Sequence, residues 1–172
     1  MPPAPRTGGR EMRDLTGSLP RRPGYRSRHR SAIRYVIVHH VGGGVNRDYS
    51  ALEIAQYHID ANGWPGIGYH FLVHPAGQVD QVNRLETRSY HCRNLNGESV
   101  GVCLAGDFGE ATPDSKQLDS VGRLVTELQD ELGRELIVLG HGDVPSTSCP
   151  GATFESWRQL IRPKASAPGH HG

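Results

Sequence analysis

Hydrophobic positions fall in short clusters along the chain, and each cluster has the spacing of one element. Tyr35-Val36-Ile37-Val38 is a β-branched run that predicts a buried strand. Ser50-Ala51-Leu52-Glu53 is a capping-box pattern opening a helix that carries Ile54, Ala55, His58 and Ile59 on one face and stops at Gly63. Gly68 to His74 predicts a strand, Pro75-Ala76-Gly77 a turn, and Gln78 to Val82 the returning arm of a hairpin. Ser99 to Leu104 is another buried strand. Thr112-Pro113 supplies an N-cap followed by proline at the first helical position. The stripe Leu118, Val121, Leu124, Val125, Leu128 and Leu132 follows, closed by Gly133. Leu136 to Leu139 is the last strand, and a short helix holding Phe154, Trp157 and Leu160 comes after it. These elements predict an α/β (mixed α+β) fold with a central mixed sheet of about five or six strands flanked by helices.

Residues 1–30 break the pattern. They are rich in Pro and Gly, and they set eight arginines against only Glu11 and Asp14. Such a segment predicts a flexible basic arm, leaving a domain over 31–162 and a loose tail over 163–172. The arm either stays solvated or contacts anionic lipids, teichoic acids or other polyanions. It has one aromatic, Tyr25, and no recognisable nucleic-acid module, so no nucleic-acid partner is expected. The net charge of +1 conceals this asymmetry, since the remainder is slightly acidic. At 172 residues the chain can bury a core by itself, and a monomer is expected. Cys92, Cys103 and Cys149 are too few and too odd in number for a disulfide framework. Cys103 reads as a buried small hydrophobe, and Cys92 has no assigned role. No run approaches the ~20 apolar residues of a membrane span, and the N-terminus lacks the apolar core of a secretory signal.

The chemistry concentrates elsewhere. His141 and Cys149 are joined through a Pro-containing loop directly after an apolar strand, and Val38-His39-His40 ends an equally apolar run far upstream. Two imidazoles and one thiolate make an open zinc site, with the fourth position left for water. Side chains alternate across a strand, so His39 and His40 cannot both face one metal, and the burial pattern does not choose between them.

Taken in order, these motifs resemble the zinc-dependent N-acetylmuramoyl-L-alanine amidases of the phage-lysozyme type, which share their fold with peptidoglycan recognition proteins. The resemblance runs from Tyr35 to Trp157. Val38-His39-His40 is similar to the first ligand motif, in which the first His binds zinc. Gly66-Ile67-Gly68-Tyr69-His70-Phe71 resembles the catalytic-tyrosine strand. The segment from His91 through Asn96 and Ser99 to Val102 resembles the border of the substrate groove. Gly140-His141 through Thr147, Cys149, Pro150 and Gly151 resembles the last two ligands. Many phage members carry Lys two positions before the ligand Cys, where recognition-protein amidases carry Thr, as Thr147 does here. Recognition proteins that only bind have typically lost that Cys, whereas Cys149 is present.

The resemblance implies Zn2+ held by His39, His141 and Cys149, and hydrolysis of the amide between N-acetylmuramic acid and L-alanine in bacterial peptidoglycan. Tyr69 would orient the water or donate to the oxyanion, with Thr147 as a second donor. His91 and Asn96 are the expected substrate contacts, with a turn cap as the alternative for Asn96. Proton transfer falls to Tyr69, another His or solvent. His70 and His74 share a strand face and are either structural or supporting, and Asp143 could orient His141. The expected role is that of an endolysin, made in the host cytoplasm and reaching the wall after membrane permeabilisation. Two alternatives stand beside it: a peptidoglycan-binding module without catalysis, and a closed structural zinc site completed by Cys92 or a spare His.

Overall fold

A computed structural model describes residues 6–7, 10–144, 149–161 and 163. The strands are β1 (Arg6–Thr7), β2 (Arg10–Glu11), β3 (Arg13–Asp14), β4 (Arg26–Ser27), β5 (Tyr35–His40), β6 (Phe71–Val73), β7 (Val79–Gln81), β8 (Thr87–Arg88), β9 (Ser99–Leu104) and β10 (Ile137–Gly140). The α-helices are α1 (Ala51–Asn62), α2 (Ser115–Leu132) and α3 (Phe154–Trp157). Six strands form the central sheet in the order β10-β5-β9-β6-β7-β3. Its first four run parallel, β7 returns antiparallel to β6, and β3 lies parallel to β7. The α/β reading and the mixed six-stranded sheet are therefore as the sequence implies.

All six residues of β9 are buried, as a central strand covered on both faces requires. Val36, Val38, Val100 and Val102 face the stripe Leu118, Val121, Leu124, Val125 and Leu128 of α2. Leu72 and Cys103 face Ala51, Ile54 and Ala55 of α1 on the other side. Phe154, Trp157 and Ile161 close the α2 layer at its end. Leu160, expected inside, is 60% exposed, because the chain tightens into a 3-10 turn after Trp157 and presents Ile161 instead.

The local signals at α1 hold in detail. Ser50 and Glu53 form a complete capping box, and Gly63 ends the helix in the left-handed conformation. At α2 the start differs from expectation. Asp114, not Thr112, is the N-cap, and Pro113 is buried one position outside the helix.

The described part of the segment read as a flexible arm is packed against the domain. β3 is an edge strand of the central sheet, and Arg13 clamps Asp80 through two hydrogen bonds of 2.8 and 2.9 Å. Met12 is buried in the α2-side core. Tyr25 donates its hydroxyl to the Ile67 carbonyl at 2.7 Å. Arg28 donates to the carbonyls of Leu85, Asn96 and Ser99, and burial pushes its pKa down to about 10. Apart from that of Met12, these contacts are polar and reach far along the chain, which is why no apolar period announced them. No helix among the described residues is long and apolar enough to cross a membrane.

Candidate metal centre

His39 and His40 end β5 on opposite faces of the sheet. The α1 side receives His39, which is 1% exposed, in register with Cys103 of β9. On the other side His40 accepts the Phe108 amide on Nδ1 at 3.0 Å and packs against the Phe108 ring. The choice that alternation left open thus falls on His39. β10 lies beside β5 and delivers His141 at its end, its ring 4.6 Å from that of His39. The chain then returns so that the Gly142 amide donates to the Cys149 carbonyl at 2.6 Å. This closure brings the sulfur to the same corner.

His39, His141 and Cys149 each offer one ligand atom, and these atoms lie within 4.8 Å of one another. A tetrahedral ion with bonds of ~2.0 Å to nitrogen and ~2.3 Å to sulfur holds two such ligands ~3.5 Å apart. His39 Nδ1 and Cys149 Sγ are 3.7 Å apart, so the pair fits a metal with little movement. The Cys149 thiol is pushed up to about 11 by burial, opposed by the His40 amide that donates to its sulfur at 3.4 Å. Metal uptake must therefore displace a proton from the sulfur. Burial, reinforced for His39 by His141 and other imidazoles, pushes both ligand histidines below their ordinary value. Neutral imidazoles are what a metal requires.

A buried hydrogen-bond chain fixes the tautomer of His39. The Ser99 hydroxyl spends its proton on the Leu95 carbonyl at 2.7 Å, so it can only accept from His91 Nε2, 3.1 Å away. With its proton on Nε2, His91 presents a bare Nδ1 to His39 Nε2 at 3.0 Å. His39 must donate from Nε2, and its Nδ1 lone pair is left facing Cys149. Gly101 makes room for this chain, since a Cβ there would sit 2.6 Å from the His91 ring.

His91 therefore does not reach outward as a substrate contact, because both of its ring nitrogens are committed inside. Asn96 likewise turns its carbonyl oxygen to the amides of His91 and Cys92, at 2.9 and 2.8 Å. This is the turn-capping alternative. Asp143 accepts from the Gly140 amide and from Arg158, so it does not orient His141 through its carboxylate. His70 accepts the Gly101 amide on Nδ1, and its Nε2 lies 2.8 Å from the Thr87 carbonyl, which makes it structural. Thr147 lies outside the described residues.

Tyr69 stands beside the cluster, its ring 5.1 Å from that of His39. Burial, with Cys103 and Cys149 adding to it, holds its phenol well above the ordinary value, so it stays protonated, with Cys103 as a hydrogen-bond partner. A cleft of about 450 Å³ opens from here, lined by Gly42, Arg47, Glu53, Tyr57, His58 and Tyr69 among others. His58 was read only as part of a helix face. It accepts the Gly68 amide on Nδ1 at 2.9 Å, and burial holds its pKa at about 4, so a neutral ring keeps its proton on Nε2. Nothing in a helical period separates such a His from an ordinary core residue. The one signal was a polar side chain on an apolar stripe.

A sequence profile described as N-acetylmuramoyl-L-alanine amidase matches residues 29–152. The chain belongs to that family. It is 28% identical over 137 residues to peptidoglycan-recognition protein SC2 of Drosophila simulans, covering 76% of this chain and 73% of that protein. To the endolysin of Enterobacteria phage K11 it is 29% identical over 125 residues, covering 70% and 82%. Among solved structures, an endolysin N-acetylmuramoyl-L-alanine amidase from Clostridium intestinale superposes with a TM-score of 0.74 at 22% identity, covering 90% of this chain and 97% of that one. These relatives thus carry the names of peptidoglycan-recognition proteins and of endolysins.

Proposed function

We propose that this amidase-family chain is a zinc-dependent hydrolase of the amide between N-acetylmuramic acid and L-alanine, acting in wall lysis. The observation that carries the reading is the intact His39, His141 and Cys149 cluster, with His39 against Tyr69, which lines the cleft. Three ligands leave a fourth position for solvent, and no further His, Cys, Asp or Glu joins the group among the described residues. That composition favours an open site over a closed structural one.

When bound, zinc would supply a water acidified toward ~7 and polarise the amide carbonyl. The chain's own residues divide the remaining work. His91 holds the His39 ring in the tautomer that leaves Nδ1 unprotonated. The His40 amide stabilises negative charge on the Cys149 sulfur. Tyr69, kept protonated by burial, is suited to donate toward an oxygen gaining charge and unsuited to act as a base. His58 stands beside Tyr69, ring centroids 5.4 Å apart, and carries a second N–H at the same wall. The long apolar and aromatic flank of the cleft suits the backbone and methyl groups of a stem peptide.

The test is digestion of purified peptidoglycan by the zinc-loaded chain, with mass analysis of the products. New L-alanine amino termini and free lactyl carboxyls are expected, and both should vanish in Cys149→Ala. Binding to wall material without new amines would favour a recognition module. Cleavage between sugars, or within the peptide, would overturn the assignment.

A further inference from the structure

Away from the metal centre, β4 and β8 form a short antiparallel ladder in which Arg26 stands directly opposite Arg88. Residues so opposed project to the same face, and like charges there repel. Five arginines, Arg13, Arg30, Arg34, Arg47 and Arg158, meet a carboxylate within 4.0 Å, and several others, Arg21, Arg84 and Arg123 among them, do not. Among the described residues neither Arg26 nor Arg88 does. The pair opens onto a cavity of about 200 Å³ lined by Arg26, Arg88, Ser89, Tyr90 and Asn96.

The other side chains of this cavity share one character. Ser89 is 2% exposed, and its hydroxyl has no hydrogen-bond partner among the described residues. An unpaired buried hydroxyl is a cost the fold ordinarily avoids. Asn96 has committed its carbonyl oxygen to the amides of His91 and Cys92, so what it retains for the cavity is its NH2 group. The Tyr90 hydroxyl is spent on the Gly24 carbonyl, and its ring forms a wall. Two arginines thus line the cavity beside a buried, unpartnered hydroxyl and an Asn whose NH2 has no partner in the same turn, with no lining carboxylate.

We propose that this cavity is a binding site for a phosphate group. A single carboxylate can bridge both guanidinium groups but carries one negative charge against their two. A phosphate offers more acceptor oxygens to the same set of donors, and an Arg pair is suited to it by geometry and charge. The site is separate from the metal centre but in contact with its cleft through rings. Tyr90 stacks on Trp64 at 5.9 Å, and Trp64 meets the edge of His58, which lines the cleft. The phosphate comes either from a phosphodiester polymer of the wall or from free phosphate. Only the first source rests on the proposed wall substrate.

The experiment titrates the full, zinc-loaded chain with inorganic phosphate while following the Arg Nε–H resonances by NMR. Saturable shifts of Arg26 and Arg88 are expected, with sodium acetate at equal ionic strength at least tenfold weaker. Any phosphate bound at zinc leaves these two resonances unmoved and so cannot mimic the result. The double variant R26Q/R88Q, checked for an unchanged unfolding midpoint, should lose the phosphate response at Asn96 by at least tenfold. Absence of saturable Arg shifts, or acetate binding as tightly as phosphate, overturns the proposal. A second arm compares retention on phosphate-polymer-bearing wall and on acid-stripped wall. Wild-type chain should be held several-fold better by the former and R26Q/R88Q equally by both, while cleavage of a soluble muropeptide is unchanged in the variant. If the NMR response holds but retention does not differ, free phosphate is the source. If the muropeptide is not cleaved at all, the amidase reading fails while the phosphate titration still stands.

Discussion

His39 Nε2 lies 3.0 Å from His91 Nδ1, and this one hydrogen bond, anchored through Ser99 on the Leu95 carbonyl, dictates which nitrogen of His39 faces the metal position. Partners that orient a ligand His are worth ~10–100-fold in metal affinity. His91→Ala should therefore weaken zinc binding by about that factor in chelator competition. Its 15N imidazole spectrum should also show His39 populating both neutral tautomers. Ser99→Ala should do the same to a smaller extent. Unchanged zinc affinity and a single His39 tautomer in His91→Ala would sink the idea.

Gly101 is the steric counterpart of that hydrogen bond. A Cβ there would lie 2.6 Å from the His91 ring, inside a buried strand that cannot move aside. Gly101→Ala should reproduce the zinc-affinity loss of His91→Ala and also lower the unfolding midpoint. A variant with wild-type affinity would show that the ring has room to shift.

Cys149→Ser distinguishes an open catalytic site from a structural one. The two cores are large and independent of the cluster, so the urea midpoint of the metal-free variant should match that of the metal-free parent. Amide hydrolysis should fall to below about 1% of the parent when water activation is lost. Chelator should do the same to the parent. Unfolding on chelation would instead mark a structural metal.

Tyr69→Phe removes a protonated donor while keeping the ring against His39 and His58. Loss of one oxyanion donor costs ~10²–10³-fold in kcat. The expected signature is a kcat reduced by about that factor with KM little changed, read on a soluble muropeptide. An equal change confined to KM would assign Tyr69 to ground-state binding.

His74 is held between two carboxylates, with Nδ1 2.6 Å from Asp48 and Nε2 2.7 Å from Asp80, which also takes Arg13. Burial opposes its charge, yet hydrogen bonds with Asp80 and Asp48 raise its pKa overall. A raised folded value means that this contribution is complete below the unfolded value of ~6.5 and is lost as pH rises through the folded one. Asp80 behaves oppositely. Burial works against it, but His74 and Arg13 hold it below its ordinary value, so its contribution is lost as pH falls through that depressed value. The urea midpoint should decline above pH ~6.5 in the parent and be flatter there in His74→Gln. Parallel profiles would remove His74 from the account.

Residues 10–30 supply an edge strand and the Arg13 and Arg28 clamps, so removing residues 1–30 should destabilise the domain and not merely alter its targeting. Arg28→Ala alone leaves three carbonyls without their donor, and a loss of about 3 kcal/mol or more in urea unfolding is expected. A truncated chain with the parent's midpoint would restore the view of this segment as a dispensable arm.

Local order was legible in the sequence wherever one signal acts within a few residues. The Ser50 and Glu53 capping box, the Gly63 and Gly133 stops, and the continuous burial of Ser99 to Leu104 each follow from local geometry and apolar period. The meeting of His39, His141 and Cys149 was foreseen from residue type and order, since His39 and His141 each follow an apolar run and Cys149 closes the loop after His141. The roles of His58, His91 and Arg28 were not legible. Each is a polar residue with a partner 10 to 71 positions away.

What the sequence determined alone was the alternation of strands and helices, the layers they form, and the three residue types able to hold a metal. What only the tertiary structure decided was direction. Strand alternation by itself permitted either His39 or His40 to face the cluster, and the positions of His141 and Cys149 beside His39, with His40 turned to Phe108, show which one does. Hydrogen-bond donors carry no period in a sequence, so the inward turn of His91, the anchoring of residues 10–30 and the opposition of Arg26 to Arg88 emerge only once β-sheet register fixes which distant residues meet.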